Sequence, residues 1–174
     1  MNFVVMGIDR IGKNTFIEKC LTDFNLTEIH LSKPPAGVDP LMFTKAEYAD
    51  YFKRLQKEDG LVYNRGHIDE HVYGPIYRKQ NTYWLSIYEQ EFVEDLNNTC
   101  FILLLSKNLE VMEDDGNSLD YSRRKEEQEL FIKYFDESRV KNKIKIYTIA
   151  ETGYRDIFDI KKDFQDQLNG ILGK

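Results

Sequence analysis

The sequence predicts an α/β fold, a three-layer α/β/α sandwich in which about five parallel strands are covered by helices on both faces. Two observations carry this prediction. Short apolar runs of strand length alternate along the chain with segments of helical periodicity. The first apolar run also ends at a glycine-bearing turn that leads directly into a helical segment. Such alternation is typical of βαβ units, which build parallel sheets.

Five apolar runs are assigned as strands. The run 3–6 is continuously apolar, as expected of a strand that is buried on both faces, and 101–105 is the strongest candidate for the centre of the sheet. The run 26–31 alternates and stops at a Lys-Pro-Pro sequence, because proline cannot continue a ladder. The two remaining strands are predicted at 61–63 and 144–149.

Five segments are assigned as helices because their apolar side chains recur at helical spacing. These segments are 13–24, 44–58, 82–96, 123–138 and 154–172. Gly60 is a plausible stop after the second of them. Between the third strand and the third helix, Gly66 and Gly74 favour irregular backbone.

Length and composition limit the class of protein. The 174 residues, 41% of them hydrophobic and 31% charged, fit one compact domain spanning 1–174. The formal charge of −6 argues against general nucleic-acid binding, which needs a basic face, but allows a small anionic ligand. We recognise no signal peptide or membrane span, and the two cysteines lack metal-type spacing. We therefore expect a cytoplasmic protein, in a host cytoplasm if the source is a phage.

The central motif is Gly-Ile-Asp-Arg-Ile-Gly-Lys-Asn-Thr at residues 7–15, which has the spacing G-x-x-x-x-G-K between a strand and a helix. Its glycines let backbone N–H groups point at an anion, and the helix N-terminus adds partial positive charge. Lys13 can then reach the outer phosphates of a nucleotide. Asn14 stands where a Ser or Thr usually binds Mg²⁺, although an amide oxygen can also ligate this ion.

This loop resembles the phosphate loop of thymidylate kinases, which typically reads G-x-D-x-x-G-K-[ST]-T. Residues 61–67 are similar to the family's apolar strand followed by Asp-Arg, and 69–78 fall where the family places its acceptor pocket. Residues 101–105 resemble the strand before the lid, and 109–129 fall where the mobile lid belongs. The resemblance extends from residue 1 to about residue 150. It implies a P-loop NTPase fold and transfer of the γ-phosphate of ATP, with Mg²⁺, to a thymidylate-like deoxynucleoside monophosphate.

The resemblance also assigns roles to individual residues. Lys13 would bind the donor phosphates, while Arg65 and Arg10 would stabilise the group in transfer. The nucleotide side comprises Gly7, Asp9, Arg10, Ile11, Gly12, Lys13, Asn14, Thr15 and the lid arginines Arg123 and Arg124. The acceptor side comprises Asp9, Arg65, His67, Glu70, Tyr73, Tyr77 and Arg78. Asn14 and Asn64 replace the family's metal-side groups, which predicts a weakened or remodelled Mg²⁺ site at these two residues.

The acceptor segment 67–84 permits several interpretations. Its aromatic residues can stack on a base, and Asp69 or Glu70 could accept a sugar hydroxyl or the proton of an attacking one. An aromatic core with solvated charges is the alternative. A metal pair at His67 and His71 is disfavoured, because no third ligand is evident. The acidic residues of 114–118 are interpreted as a turn rather than a Ca²⁺ loop.

Two other functions stay open. One is a kinase that acts on a nucleoside, or on a modified pyrimidine within a nucleotide or DNA. The other is a nucleotide-binding homologue with reduced catalysis, which the two asparagines motivate. A GTPase switch is disfavoured because the chain has no N-K-x-D motif. We expect nucleotides as partners and no membrane association, and a homodimer stays open.

Overall fold

The computed structural model describes residues 1–112 and 120–173. Its strands are β1 (Asn2–Met6), β2 (Thr27–Ile29), β3 (Leu61–Asn64), β4 (Thr99–Ser106), β5 (Asn142–Ala150) and β6 (Gly153–Tyr154). They form one sheet in the order β2-β3-β1-β4-β5-β6. The first five strands pair in parallel, and β6 pairs antiparallel with β5. The predicted α/β class is therefore confirmed, with a short antiparallel sixth strand added to the expected sheet.

The helices follow the strands in alternation. They are α1 (Lys13–Cys20), α2 (Pro40–Lys57), α3 (His67–Arg78), α4 (Tyr83–Phe92), α5 (Arg124–Glu137) and α6 (Ile157–Leu172). Short 3₁₀ turns lie at Val93–Asn98, Leu109–Val111 and Tyr121–Arg123. None of the helices in the described ranges is long and apolar enough to cross a membrane.

Helices cover both faces of the sheet, as alternate side chains of β1 show. Phe3 packs edge-on against Phe164 of α6, with ring centroids 6.0 Å apart, and Phe164 in turn contacts Phe16 of α1 at 5.4 Å. Val4 points the other way, towards Gly66 at the start of α3. The helices on each face of the sheet cover apolar side chains that are fully buried, so the central strands are inaccessible to solvent.

Helix α3 replaces the irregular backbone that Gly66 and Gly74 had suggested, so that expectation is wrong. Gly66 is in an extended conformation, and its N–H donates to the Asp69 carboxylate at 2.7 Å, which caps the helix start. Gly74 does not break the helix but permits close packing. A Cβ at Gly74 would lie 2.8 Å from Thr82 Cγ2 and 2.9 Å from Glu70 Oε1. The two glycines therefore serve close contacts inside an ordered element.

Several predicted boundaries shift. The third predicted helix, 82–96, ends at Phe92 and continues as a 3₁₀ turn. The last helix begins at Ile157 rather than 154, because Tyr154 pairs in β6 and the Asp156 side chain caps the helix by accepting from Phe158 N at 2.8 Å. Residues 113–119 of the predicted lid, including the acidic turn 114–118, lie outside the described residues. The single-domain interpretation and the lid stay predictions.

Candidate active site

A cavity of about 860 Å³ opens at the carboxyl ends of β1, β2 and β3. Open parallel sheets bind ligands at this edge, where the chain leaves neighbouring strands in opposite directions. The phosphate loop forms one wall, and side chains from α2, α3 and the segment after β2 form the rest. The lining residues are Asp9, Arg10, Gly12, Lys13, Asn14, Thr15, His30, Leu31, Lys33, Tyr48, Asn64, Arg65, Asp69, Glu70, Tyr73 and Arg78.

Two glycines give the phosphate loop its shape. Gly7 has φ +138°, and a Cβ there would lie 2.7 Å from the carbonyl oxygen of Leu104 in β4. Gly12 has φ +95° and directly precedes α1, where no side chain caps the first N–H groups. Because these N–H groups have no side-chain acceptor, the helix start can bind an anion through its backbone.

Lys13 is buried inside the loop. Its Nζ donates to the carbonyl oxygens of Gly7 at 2.8 Å and Ile8 at 2.9 Å. Burial lowers the pKa of Lys13 to about 8, against opposing effects from Asp69 and Asp9. A lysine held in this way stays close to any phosphate that occupies the loop.

Arg65 lies where the loop meets α3. It has a left-handed backbone at φ 94°, which non-glycine residues seldom adopt, and its guanidinium donates to Asp9 Oδ1 at 2.6 Å. The guanidinium also lies over the Tyr73 ring, 5.6 Å from its centroid. Burial opposes its charge, yet Asp69 and Asp9 hold the pKa of Arg65 above its ordinary value. Arg10, which lines the same cavity, also has positive φ, at 65°.

Asn14 and Asn64 lie side by side at the cavity and contact each other. Asn64 Nδ2 donates to Asn14 Oδ1 at 2.6 Å. An amide oxygen has two lone pairs, so Asn14 Oδ1 keeps one for a cation and Asn64 Oδ1 offers another. Two neutral amide oxygens fit Mg²⁺ as minor ligands beside the phosphates of a nucleotide. Among the described residues, no group of three His, Cys, Asp or Glu side chains is arranged to hold a metal ion without such help.

Helix α3 supplies the opposite wall with Asp69, Glu70, Tyr73 and Arg78. Glu70 is paired with Arg78, and burial nevertheless raises the pKa of Glu70. Burial raises the pKa of Asp69 to about 6, with Lys13 and Arg65 opposing the shift. Burial likewise raises the pKa of Tyr73. This wall therefore holds two carboxylates and one arginine inside an ordered helix.

Six of the residues assigned from the sequence to nucleotide or acceptor binding do not line the cavity: Gly7, Ile11, His67, Tyr77, Arg123 and Arg124. His67 is fully buried, and its ring nitrogens bond to Tyr51 and Glu89, so its predicted contact with substrate is not supported. Tyr77 instead donates a hydrogen bond to Glu127 of α5. These two side chains extend from α3 towards other helices rather than into the cavity.

The two lid arginines are also engaged elsewhere. Arg123 pairs with Glu126 at 2.8 Å, and Arg124 donates to the carbonyl oxygen of Leu109 at 3.1 Å while pairing with Glu110 at 3.1 Å. Arg124 therefore joins the two flanks of the predicted lid.

Two loop residues act beneath the cavity surface. Ile11 is fully buried in the core, and Gly7 accepts the Lys13 hydrogen bond from below. Both support the loop without lining the cavity. The other residues assigned to the nucleotide and metal side all line the cavity, together with Arg65, Glu70, Tyr73 and Arg78 of the acceptor side, and their roles stay predictions: Asp9, Arg10, Gly12, Lys13, Asn14, Thr15 and Asn64.

Four residues of the cavity wall were not predicted from the sequence. His30, Leu31 and Lys33 follow β2, and Tyr48 comes from α2, where its hydroxyl donates to the carbonyl oxygen of Gly66 at 3.1 Å. A signal for the first three existed. The Lys-Pro-Pro sequence marks the end of a parallel strand, and all parallel strands end at the same edge of the sheet. Tyr48 lies within the apolar stripe of α2 and cannot be told from a core residue by periodicity.

No family model and no curated protein matches this sequence. Two solved structures are similar over nearly the whole chain. The YorR protein of Bacillus subtilis, solved in complex with phosphorylated GDP, is 15% identical over 97% of this chain and 96% of that chain, with a TM-score of 0.66. A gluconokinase from Sinorhizobium meliloti 1021 is 14% identical over 98% of this chain and 92% of that chain, with a TM-score of 0.57. At these identities the likeness establishes a shared fold.

Proposed function

We propose that this chain is an ATP-dependent phosphotransferase whose acceptor is of the deoxynucleoside class, a thymidylate-like monophosphate being the acceptor that the sequence favours. One observation carries the proposal: Lys13 of the phosphate loop and Arg65 before α3 converge on one cavity that has a second, side-chain wall. A cradle for the donor and a separate wall for an acceptor are what phosphoryl transfer between two small molecules requires.

The charge of the cavity supports this proposal. Its lining includes the cations Arg10, Lys13, Lys33, Arg65 and Arg78, and the carboxylates Asp9, Asp69 and Glu70. Five positive and three negative side chains leave the cavity positive in a protein of formal charge −6. A local excess of positive charge of this kind attracts polyphosphate to an otherwise acidic molecule.

The two similar structures point in the same direction. One was solved with phosphorylated GDP and the other is a gluconokinase, so this fold accommodates a phosphorylated nucleotide in one case and kinase activity in the other. We carry both properties to this chain as part of the proposal, because its loop keeps both glycines and the lysine of the G-x-x-x-x-G-K spacing.

In the proposed reaction, the loop N–H groups and Lys13 bind the outer phosphates of the donor. Arg65, with Arg10 beside it, neutralises the charge on the group in transfer, and Asp9 holds the Arg65 guanidinium in place at 2.6 Å. Asn14 and Asn64 would contact Mg²⁺ through their amide oxygens, and the ion would supply further neutralisation of the phosphates. Tyr73 and Tyr48 form the aromatic part of the acceptor wall.

A second candidate is transfer to a hydroxyl of a nucleoside, or of a modified pyrimidine in a nucleotide or DNA. The buried Asp69 carboxylate at the cavity favours it, because a hydroxyl nucleophile must lose a proton. For either acceptor we expect a cytoplasmic protein, since Cys20 and Cys100 are both buried free thiols.

Phosphate transfer from radiolabelled ATP tests the proposal. We expect Lys13→Ala to lower kcat/KM at least about 100-fold, because it removes a donor that is aimed at developing charge. Lys19→Ala is the matched control, since Lys19 lies on the same helix but is exposed. Unchanged ATP binding and transfer in Lys13→Ala would contradict the proposal. If the wild-type protein binds ATP but transfers phosphate to no acceptor, this result would support a nucleotide-binding homologue instead.

A further inference from the structure

Asp69 is a buried carboxylate, and one of its two oxygens accepts no hydrogen bond from the described residues. The residue is 3% exposed and lines the cavity. Its Oδ2 accepts a hydrogen bond from Gly66 N at 2.7 Å, which caps α3. Its Oδ1 is buried and has no hydrogen-bond partner among residues 1–112 and 120–173. Buried carboxylate oxygens are normally satisfied, so this atom calls for an explanation.

The charged groups that affect Asp69 are the cations to which the proposed function assigns phosphate binding. Lys13 and Arg65 are the charged groups that lower the pKa of Asp69 most, and Asp69 is in turn the carboxylate that raises the pKa of Lys13 most. Glu70, the next residue, also has one buried oxygen, Oε1, without a hydrogen-bond partner among the described residues, but its carboxylate forms an ion pair with Arg78. The two adjacent carboxylates of this helix therefore have different charged partners, which are Lys13 and Arg65 for Asp69 and Arg78 for Glu70.

An acceptor that attacks through its phosphate does not explain why the cavity holds the Asp69 carboxylate. A phosphate oxygen is already anionic, needs no base before it attacks, and is repelled by a carboxylate at close range. A hydroxyl oxygen is a weak nucleophile until its proton is removed, and a carboxylate within hydrogen-bond reach is a suitable acceptor for that proton. Asp69 lines the same cavity as Lys13 and Arg65, and its Oδ1 has no hydrogen-bond partner among the described residues. This arrangement fits a hydroxyl acceptor.

We propose that the attacking group of the acceptor is a hydroxyl and that Asp69 Oδ1 accepts its proton; this inference rests on the proposed phosphotransfer and selects the second of its two candidate acceptors, a hydroxyl, over the phosphate of a monophosphate. The hydroxyl oxygen forms a bond to the γ-phosphorus of ATP, and the bond from that phosphorus to the β,γ-bridging oxygen breaks. The electron pair of the broken bond leaves with ADP, and the hydroxyl proton passes to the carboxylate. The product is a phosphate monoester on an acceptor of the nucleoside class.

Asp69→Asn tests this role and Glu70→Gln is the matched control. Asparagine can still accept from Gly66 N, so α3 keeps its cap while the base is lost. The assay offers ATP with thymidine, deoxycytidine and 5-hydroxymethyl-deoxyuridine, and in parallel with the corresponding 5′-monophosphates. We expect transfer to a hydroxyl, a loss in kcat of about 100-fold or more in Asp69→Asn, and an ATP Kd within about twofold of wild type. Glu70→Gln should raise KM for the acceptor while kcat falls less than tenfold.

The pH profile supplies an independent readout. The groups that face Asp69 are Lys13 of α1, Arg65 before α3, Tyr73 of α3, and Tyr48 and Tyr51 of α2. Since burial raises the pKa of Asp69 to about 6, kcat/KM of the wild type should rise with pH through about 6, and this limb should be missing in Asp69→Asn.

Three outcomes would overturn the inference. Phosphorylation of a monophosphate on its phosphate, with no hydroxyl acceptor used, refutes it but leaves the proposed phosphotransfer intact. Full activity of Asp69→Asn on a hydroxyl acceptor refutes the role of Asp69 alone. If the wild type fails to bind ATP, the proposed function fails first and this inference fails with it.

Discussion

The phosphate loop and helix α3 face each other across one cavity but are built on different principles. The loop consists of consecutive residues, works largely through its backbone, and depends on two glycines with positive φ. Helix α3 has a cavity face with Asp69, Glu70 and Tyr73, and a second face on which His67 enters the core. The donor side of the site is therefore formed by one contiguous sequence motif. On the acceptor side, which residues reach the cavity depends on the neighbours that pack against each face of one helix.

The largest effect is expected on the core face of α3. In His67→Leu, Glu89 loses the partner that lies 2.8 Å from its carboxylate inside the protein, and we expect a loss of about 3–5 kcal/mol in the free energy of unfolding. His71→Leu, one turn further along, should cost only about 1 kcal/mol, because it loses one hydrogen bond to Thr82. Urea denaturation measures both. Equal losses would show that the contact between His67 and Glu89 contributes no more to stability than a single neutral hydrogen bond does.

The pH dependence of stability sharpens this prediction. Burial by itself would raise the pKa of Glu89, but bonds from His67, Arg139 N and Ser138 lower it from 4.5 to about 2. A carboxyl with a depressed folded-state pKa stabilises the fold fully above its unfolded value. This contribution is lost as pH falls from about 4.5 towards 2. Glu89→Gln should therefore flatten the acid limb of the unfolding free energy.

The next largest effect is expected in the loop. Gly7→Ala introduces a Cβ 2.7 Å from the Leu104 carbonyl oxygen at a φ of +138°, so we expect a loss of about 2–4 kcal/mol together with loss of ATP binding. In Gly12→Ala the new Cβ meets no atom within 4 Å, and only the cost of positive φ remains, about 1 kcal/mol. Calorimetry of both variants with and without ATP would separate steric conflict from backbone strain. A Gly7→Ala protein that binds ATP normally would contradict the geometry of the loop.

A smaller effect, a gain rather than a loss in the free energy of unfolding, is expected on the cavity face of α3. The pKa of Asp69 is raised from 3.8 to about 6, so its charge destabilises the fold at neutral pH and this cost disappears as the pH falls below 3.8. Asp69→Asn should therefore stabilise the protein by about 1–3 kcal/mol at pH 7, with the gain vanishing in acid. Thermal denaturation at pH 7 and pH 4 measures this. A destabilised variant at neutral pH would mean that Asp69 is mainly a structural cap.

The smallest effect concerns the amide pair Asn14 and Asn64 that lines the cavity. Restoring charge in Asn14→Ser/Asn64→Asp should lower the Mg²⁺ concentration for half-maximal transfer about fivefold, equivalent to about 1 kcal/mol, because a carboxylate attracts the ion more strongly than an amide. Asn14→Ser alone is the control and should change it less. An unchanged Mg²⁺ midpoint in the double variant would show that the Asn14–Asn64 contact is unrelated to the metal.

The extent to which the sequence predicted the structure follows the same division. The loop, the parallel strands and the cation Arg65 were predictable, because glycine spacing, apolar runs and strand ends are local signals. His67 was misassigned because its partners Tyr51 and Glu89 are 16 and 22 residues away in sequence. The helical state of α3 was missed because Gly74 is required by the approach of Thr82, a tertiary contact, rather than by its own backbone. Lys33 was missed although the Lys-Pro-Pro sequence that ends its strand is a local signal.

The two outer strands of the sheet also influence how copies of this chain can associate. Strand β2 has three residues and β6 has two, and β6 runs against the direction of its neighbour. Such short edges expose few unpaired N–H and C=O groups in register, so they are poor templates for pairing with a strand of another molecule. If the chain forms a homodimer, we expect the contact to be made through helices, and we expect the sheet edges to resist strand-mediated aggregation at high protein concentration.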